Sequence, residues 1–198
     1  MPRVSEKYRK ARRDEIALAA IRCLERKGVH DTSIADIVEE SGLSTGAIYS
    51  HFSSKVELAR YVVAEYLLPR LDYLQSTDDV RTPREVLTTM LGVFAEDGLP
   101  AGVVLQFWGE ATMSGEMREE MLGTVGRLRA ALGSALRPWA QTQATDPAAT
   151  ESLVADSARA VMSLAQGYVA STALFGPRDA REYVDSVAAA LRQAPADS

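Results

Sequence analysis

Residues 32–52 read T-S-I-A-D-I-V-E-E-S-G-L-S-T-G-A-I-Y-S-H-F. Ser33 with Asp36 three positions on has the pattern of a capping box, and Ile34, Ile37 and Val38 form the apolar stripe of a short helix. Gly42 stops that helix. Ser44 can cap a second one, whose inward residues Ile48 and Phe52 lie four apart on one face. Two short helices joined by a glycine-containing turn at Glu40 to Leu43 are expected for a helix-turn-helix, in which the second helix enters the DNA major groove.

The outward side of that second helix fits the task. Ser44, Thr45, Gly46, Ala47, Tyr49, Ser50 and His51 are small or hydrogen-bonding, so the helix can approach base edges closely. Thr45 and Ser50 offer hydroxyls, and Ala47 or the Thr45 methyl can meet a thymine methyl. No Lys or Arg occurs from Ser44 to Ser54. The commonest specific contact, a bidentate Arg or Lys on guanine, is therefore not available from this helix, and base readout leans on methyl contacts, water and DNA shape.

Working outward, Ile16, Ala20, Cys23 and Leu24 share one face of a preceding helix that Gly28 ends. Cys23 reads as a small core hydrophobe. Ser54 with Glu57 opens a fourth helix, expected from Lys55 to about Gln75 with a kink at Pro69. Thr82, Pro83 and Glu85 start a fifth that runs to near Gly98. A sixth is expected over Ala101–Met113 and a seventh from Glu116 to about Gln141. The eighth begins at Asp146 and Pro147 and runs to Phe175, and the ninth is capped by Asp179 with Glu182 and runs to about Gln193. No alternating strand and no repeat appears, so the fold class is all-α with about nine helices.

Composition bounds the function. The chain has 198 residues, 46% of them hydrophobic and 25% charged, which suits a folded globular protein with a sizeable core. Its single cysteine excludes an intrachain disulfide, and no apolar leader follows the start, so the cytoplasm is the expected compartment. The longest uncharged stretch, Ala160 to Pro177, contains Ser163, Gln166, Gly167, Ser171 and Thr172 and is too polar for a membrane span. Two histidines and one cysteine cannot close a zinc site without carboxylates, and no metal or other cofactor is expected. No Gly-rich phosphate loop or nucleophile elbow points to an enzyme. Net charge is −5, but residues 1–13 carry six basic residues against Glu6 alone, while residues 61–198 hold eleven basic against eighteen acidic. Such asymmetry fits a polyanion contact at the N-terminus with an acidic body behind it, or else a solvated basic tail.

Residues 14–66 resemble the TetR/AcrR family of bacterial transcriptional regulators. The resemblance is carried by I-A-L-A-A at 16–20, the 32–52 segment with Gly46, Tyr49, His51 and Phe52, and K-V-E-L at 55–58. It covers about a quarter of the chain; the remainder matches in length and helical organisation. It implies a DNA-binding domain over residues 1–54 with its basic leader, and a ligand-binding and dimerisation domain over 55–198. It also implies base reading by Thr45, Gly46, Ala47 and Ser50, with phosphates held by Tyr49, His51 and Lys55. On electrostatic grounds the basic leader and the helix starts at Thr32, Ser33 and Ser44, whose free N–H groups favour phosphate, add to these contacts. Tyr49 could instead pack against the first helix, and His51 could be a structural histidine.

In the body, Tyr66, Tyr73, Phe94, Phe107, Trp108, Met113, Met162, Gln166 and Tyr168 are candidates to line a cleft for a small-molecule effector, apolar with few polar groups. Core packing is the competing reading of each. Gln106, Glu110 and Thr112 are nearby polar anchors. Helix eight is rich in small residues, and Ala170, Ala173, Tyr183, Val184, Val187 and Leu191 are candidates for a homodimer interface. The expected function is a homodimeric repressor on a palindromic double-stranded operator, released by its effector, with no membrane partner. A constitutive DNA-binding factor is the alternative, favoured if no enclosed cavity exists among helices five to eight.

Overall fold

The computed structural model describes residues 6–66, 80–94 and 99–193, without the side chains of a few helical positions, Lys55, Tyr66 and Leu191 among them. Among the described residues there are nine α-helices and no strand: α1 (Glu6–Asp31), α2 (Ile34–Ser41), α3 (Thr45–His51), α4 (Lys55–Tyr66), α5 (Pro83–Leu91), α6 (Ala101–Met113), α7 (Gly115–Gln143), α8 (Pro147–Phe175) and α9 (Ala180–Gln193). The all-α expectation holds. Tyr73, Pro69 and the expected end of the fourth helix lie outside the described residues.

Caps set the boundaries. Ser33 Oγ accepts from Asp36 N while the Asp36 carboxylate accepts from Ser33 N, and Gly42, at φ 68°, closes α2 by donating to Val38 O. Thr82 and Glu85 make the same reciprocal pair at the start of α5. Each such cap is worth about 1 kcal/mol. Instead of continuing to Gly98, α5 gives way at Gly92 to a 3₁₀ turn over Gly92–Phe94. Pro138 sits inside α7, which continues past it to Gln143. The long first helix is broken at Gly28, whose φ of 84° and ψ of 166° are not helical.

Three apolar clusters organise the molecule. The first joins Ile16, Ala20 and Cys23 of α1 to Ile37, Ile48 and Phe52, and continues into Leu58 and Val62 of α4 and into Leu99. The second packs α5, α7, α8 and α9 around Leu91, Leu132 and Leu136. A small third one, Ala59 with Ala111 and Met117, lies between them. Phe94 packs against both large clusters. Cys23 is fully buried, and that burial raises its thiol pKa. No helix among the described residues is long and apolar enough to cross a membrane.

Ile48 and Thr45 share α3 but point oppositely: Ile48 is fully buried and Thr45 exposed. Ile48→Ala is expected to cost roughly 2–5 kcal/mol by opening a cavity in the helix-turn-helix core. Thr45→Ala should change stability by less than about 0.5 kcal/mol. Denaturant midpoints of the two variants check the orientation of α3.

Candidate nucleic-acid interface and cavity

The turn between α2 and α3 presents the N-terminal half of α3 outward. Thr45, Gly46, Tyr49 and Ser50 are exposed, Ala47 is half-buried, and Tyr49 keeps 53% of its surface. The alternative in which Tyr49 packs against α1 is thus not what the structure has. Ser44 Oγ accepts from Ala47 N at 3.2 Å, and Ser50 Oγ donates to Ala47 O at 2.7 Å. Ser50 therefore retains its lone pairs but has its proton committed, which leaves Thr45 the freer of the two hydroxyls.

Thr32 departs from expectation. It is 1% exposed, and both its N–H and its hydroxyl donate to Gly28 O, at 3.1 and 2.6 Å. It ties off the kink in α1 and has no polar hydrogen left for a phosphate. Ser33 is exposed, but its hydroxyl is engaged with Asp36 as donor and acceptor. Asp36 also accepts from Lys27 Nζ at 2.6 Å, and these bonds, Lys27 foremost, hold its carboxyl well below the usual carboxylate range.

His51 is half-buried, and its Nδ1 has no hydrogen-bond partner. Burial first, then the positive charges of Arg9, Arg13 and Arg12, lower its pKa, so the free protein favours neutral imidazole. Those arginines come from α1. The Arg13 guanidinium lies 4.5 Å from the centroids of both Phe52 and Tyr61, which meet edge-to-face at 5.3 Å. Tyr61 in turn donates to Asp14 Oδ1 at 2.5 Å, and burial together with that bond pushes its hydroxyl up to about 12. α1, α3 and α4 are thereby locked together beside His51. The periodicity of α1 was legible, but the tie from Arg13 to two rings 39 and 48 residues away was not, because nothing local in sequence marks it. Lys55 begins α4, and its side chain lies outside the described residues.

The body contains a cavity of about 400 Å³ among α4 to α8. Phe94, Phe107, Trp108, Met162 and Gln166 line it, five of the expected residues. Tyr66 and Tyr73 cannot be placed, since the side chain of the first and all of the second lie outside the described residues. Two expectations fail. Met113 is 86% exposed, because Val103, Phe107 and Ala111 follow one another at intervals of four on the inner face of α6 and Met113 falls two residues past it. Tyr168 is buried in the second cluster against Phe94 and Tyr183, its hydroxyl donating to Arg178 O at 2.7 Å.

Sequence reading missed the charged end of this cavity. Arg60 of α4 and Glu120 of α7 both line it and pair through two hydrogen bonds, Nε to Oε2 at 2.7 Å and Nη2 to Oε1. Gln106, taken as a polar anchor for a ligand, instead accepts from Val29 N at 2.7 Å. Thr112 is exposed and donates to Gly109 O. A second cavity, of about 280 Å³, lies between α1, α2, α4 and α6, with Glu110 in its wall.

Of the interface candidates, Tyr183 and Val184 turn inward. Tyr183 donates to Leu164 O at 2.8 Å, and Val184 is 2% exposed in the second cluster. They lie on the face of α9 that packs on its own subunit. Ala170, Ala173 and Val187 are half-buried, and the side chain of Leu191 lies outside the described residues. At the end of α8, Leu174 and Phe175 are 67% and 83% exposed.

The profile of the family "Bacterial regulatory proteins, tetR family" matches residues 16–62. Over 79 residues the chain is 32% identical to the HTH-type transcriptional repressor KstR2 of Mycolicibacterium smegmatis, a match spanning 39% of this chain and 38% of that protein. Over 92 residues it is 30% identical to the HTH-type transcriptional regulator TtgW of Pseudomonas putida, covering 46% of this chain and 69% of TtgW. The fold extends further than the sequence match: Salmonella enterica GusR superposes with a TM-score of 0.72 over 96% of this chain and 97% of its own, at 22% identity. Most of the matched relatives are covered over only about a third of their length. The chain belongs to the TetR family of helix-turn-helix, DNA-binding transcriptional regulators.

Proposed function

We propose that this regulator is a homodimeric repressor that leaves its operator when a small, mainly apolar effector binds. The observation that carries the reading is the cavity itself: about 400 Å³, lined mostly by apolar and aromatic side chains, with α4 as one wall. α4 begins at Lys55, three residues after the helix-turn-helix core residue Phe52. A ligand that prefers one placement of α4 over another shifts the equilibrium between DNA-competent and DNA-incompetent forms by its differential affinity. The constitutive alternative has no use for such a cavity.

In this reading residues 1–54 form the reading head and 55–198 the effector-binding and dimerising body. Thr45, Gly46, Ala47 and Ser50 face base edges, and Tyr49, His51, Lys55 and the start of α3 at Ser44 face phosphates. Dimerisation uses the outer side of α8, where Ala160, Ser163, Ala170 and Leu174 follow one another along one stripe. The name of KstR2 as a repressor supports the sign of the output.

Selection of bound duplexes from a random pool, followed by effector screening on the selected site, tests the whole reading. Thr45→Ala should change preference at one base pair by about 1 kcal/mol, and Ser50→Ala by less, since its proton already serves Ala47 O. A uniform loss across all sequences would move Thr45 from base to backbone contact.

His51 sets a pH dependence. Its pKa is depressed in the free protein, and a phosphate beside it would raise it, so DNA binding takes up a proton. Affinity should therefore rise as pH falls from about 7.5 toward 6, and His51→Gln should flatten that slope. Titration calorimetry in buffers of different ionisation enthalpy measures the proton directly.

Ala170→Glu places a charge on the outer stripe of α8. The variant is expected to run as a monomer in light scattering and to lose operator affinity while its thermal unfolding stays near that of the parent. A stable dimer would put the interface on another face.

A further inference from the structure

The two cavities share walls. Val56, Ala59 and Val62 of α4, with Phe107 of α6 and Met117 of α7, line both the larger cavity and the one of about 280 Å³ at the joint between α1, α2 and the body. What separates them is a thin septum of the third apolar cluster, in which Met117 and half-buried Phe107 face Ala59. Met is unbranched and adapts its shape readily, and Ala59 opposite it is small, so the septum can yield to a slender chain.

The two cavities differ in what lines them. Among the described residues none of α1 to α3 lines the larger cavity, which meets the helix-turn-helix core through α4 and through Leu99, Phe94 and Val104, which pack with that cluster. The joint cavity has Ala20, Leu24 and Val29 of α1 on one side and Phe107 and Glu110 of α6 on the other. Its shape therefore changes whenever the head moves relative to the body. Only a ligand that touches walls which move apart can favour one arrangement over the other.

Charge places the polar end of the ligand. Among the described residues, Arg60 and Glu120 are the charged side chains of the larger cavity. Both are partly exposed, at 52% and 32% of the side chain, so a polar ligand end fits beside them while the rest of the molecule lies along the apolar wall.

We infer that the effector is an elongated, unbranched, mainly apolar molecule whose chain passes the Met117–Ala59 septum, and that filling the joint cavity is what releases DNA. This rests on the effector-responsive reading above and specifies its ligand class and its trigger.

Hexanol and decanol test it on the full chain bound to a selected duplex. Tryptophan fluorescence reports occupancy and fluorescence anisotropy reports DNA affinity. At matched occupancy, decanol is expected to lower DNA affinity about tenfold or more and hexanol less than about twofold.

Ala59→Leu thickens the septum, and Glu110→Phe fills the joint cavity without touching the larger one. Glu110→Phe should keep hexanol binding and lose DNA release by decanol, and Ala59→Leu, at a position that lines both cavities, should lose release at matched decanol occupancy. Since Ala59→Leu could disturb packing, Glu110→Phe decides the matter if the first variant unfolds. Equal release by hexanol and decanol, or full decanol response in Glu110→Phe, overturns the inference while leaving the effector reading intact. Failure of both alcohols to bind also overturns the inference, whereas the effector reading falls only if the compound screen on the selected duplex finds no molecule that releases it.

Discussion

The backbone of α1 breaks at Gly28, and the attachment of the helix-turn-helix to the body is built around that break. In an unbroken helix the Val29 N–H would bond back to Glu25; the positive φ of Gly28 frees it, and Gln106 Oε1 of α6 accepts it at 2.7 Å. A side chain at position 28 would be strained at φ 84° and ψ 166°, a region used essentially by glycine alone, by about 1–3 kcal/mol, and its Cβ would sit 3.3 Å from the same Gln106 oxygen. Thr32 closes the far side by returning two hydrogen bonds to Gly28 O. One glycine, one amide and one hydroxyl thus define the joint. Much of the remaining wall at the joint, Ala20, Leu24, Ile37 and Phe107 included, is apolar and non-directional, with His30 and Glu110 among its polar members, while α4 ties the head's own core to the cavity wall.

The charge distribution follows from the same division. α3 carries no lysine or arginine, so whatever affinity it gains from bases must be accompanied by phosphate contacts made elsewhere. Several cations of α1 are already paired: Lys10 with Asp14 and Glu65, Arg12 with Glu15, and Arg22 and Arg26 with Glu40. Pairs this exposed contribute between nothing and about 1 kcal/mol each, so they can be exchanged for phosphates at little cost. Arg13 pairs too, with Glu57 at 3.4 Å, but more than that pair holds it. Spread over the Phe52 and Tyr61 rings, with Nε lacking a hydrogen-bond partner, it serves the packing of three helices and biases the protonation of His51.

What was legible in the sequence was local. Ser33 with Asp36, Thr82 with Glu85 and Asp146 with Pro147 each announce a helix start within four residues, and the structure begins helices there. The spacing of Ile48 and Phe52 gave the buried side of α3 for the same reason. Side-chain direction over longer distances was less legible. Tyr168, Tyr183 and Val184 were expected at a ligand or a partner because they are large or apolar on amphipathic helices. Their true partners, Phe94, Leu164 O and Arg178 O, are fixed only when α8 and α9 fold back on one another. Thr32 was misread because a capping residue and a residue that ties off the preceding kink look alike in sequence. Arg60 and Glu120, sixty residues apart, carry no mark in sequence of belonging to one pair.

That pair bears on how the apolar cavity is held. Burial of hydrocarbon is worth about 25 cal/mol per Å² whatever the shape of the molecule, so apolar walls alone would accept many ligands. Arg60 and Glu120 are partly exposed, at 52% and 32% of the side chain, so their pair is worth no more than about 1 kcal/mol and would exclude an ion only weakly. Its weight is positional. Two hydrogen bonds join α4 to α7, so a change at this pair would shift the resting position of α4, the helix that carries Leu58 and Val62 into the helix-turn-helix core, before it altered what the cavity could accept.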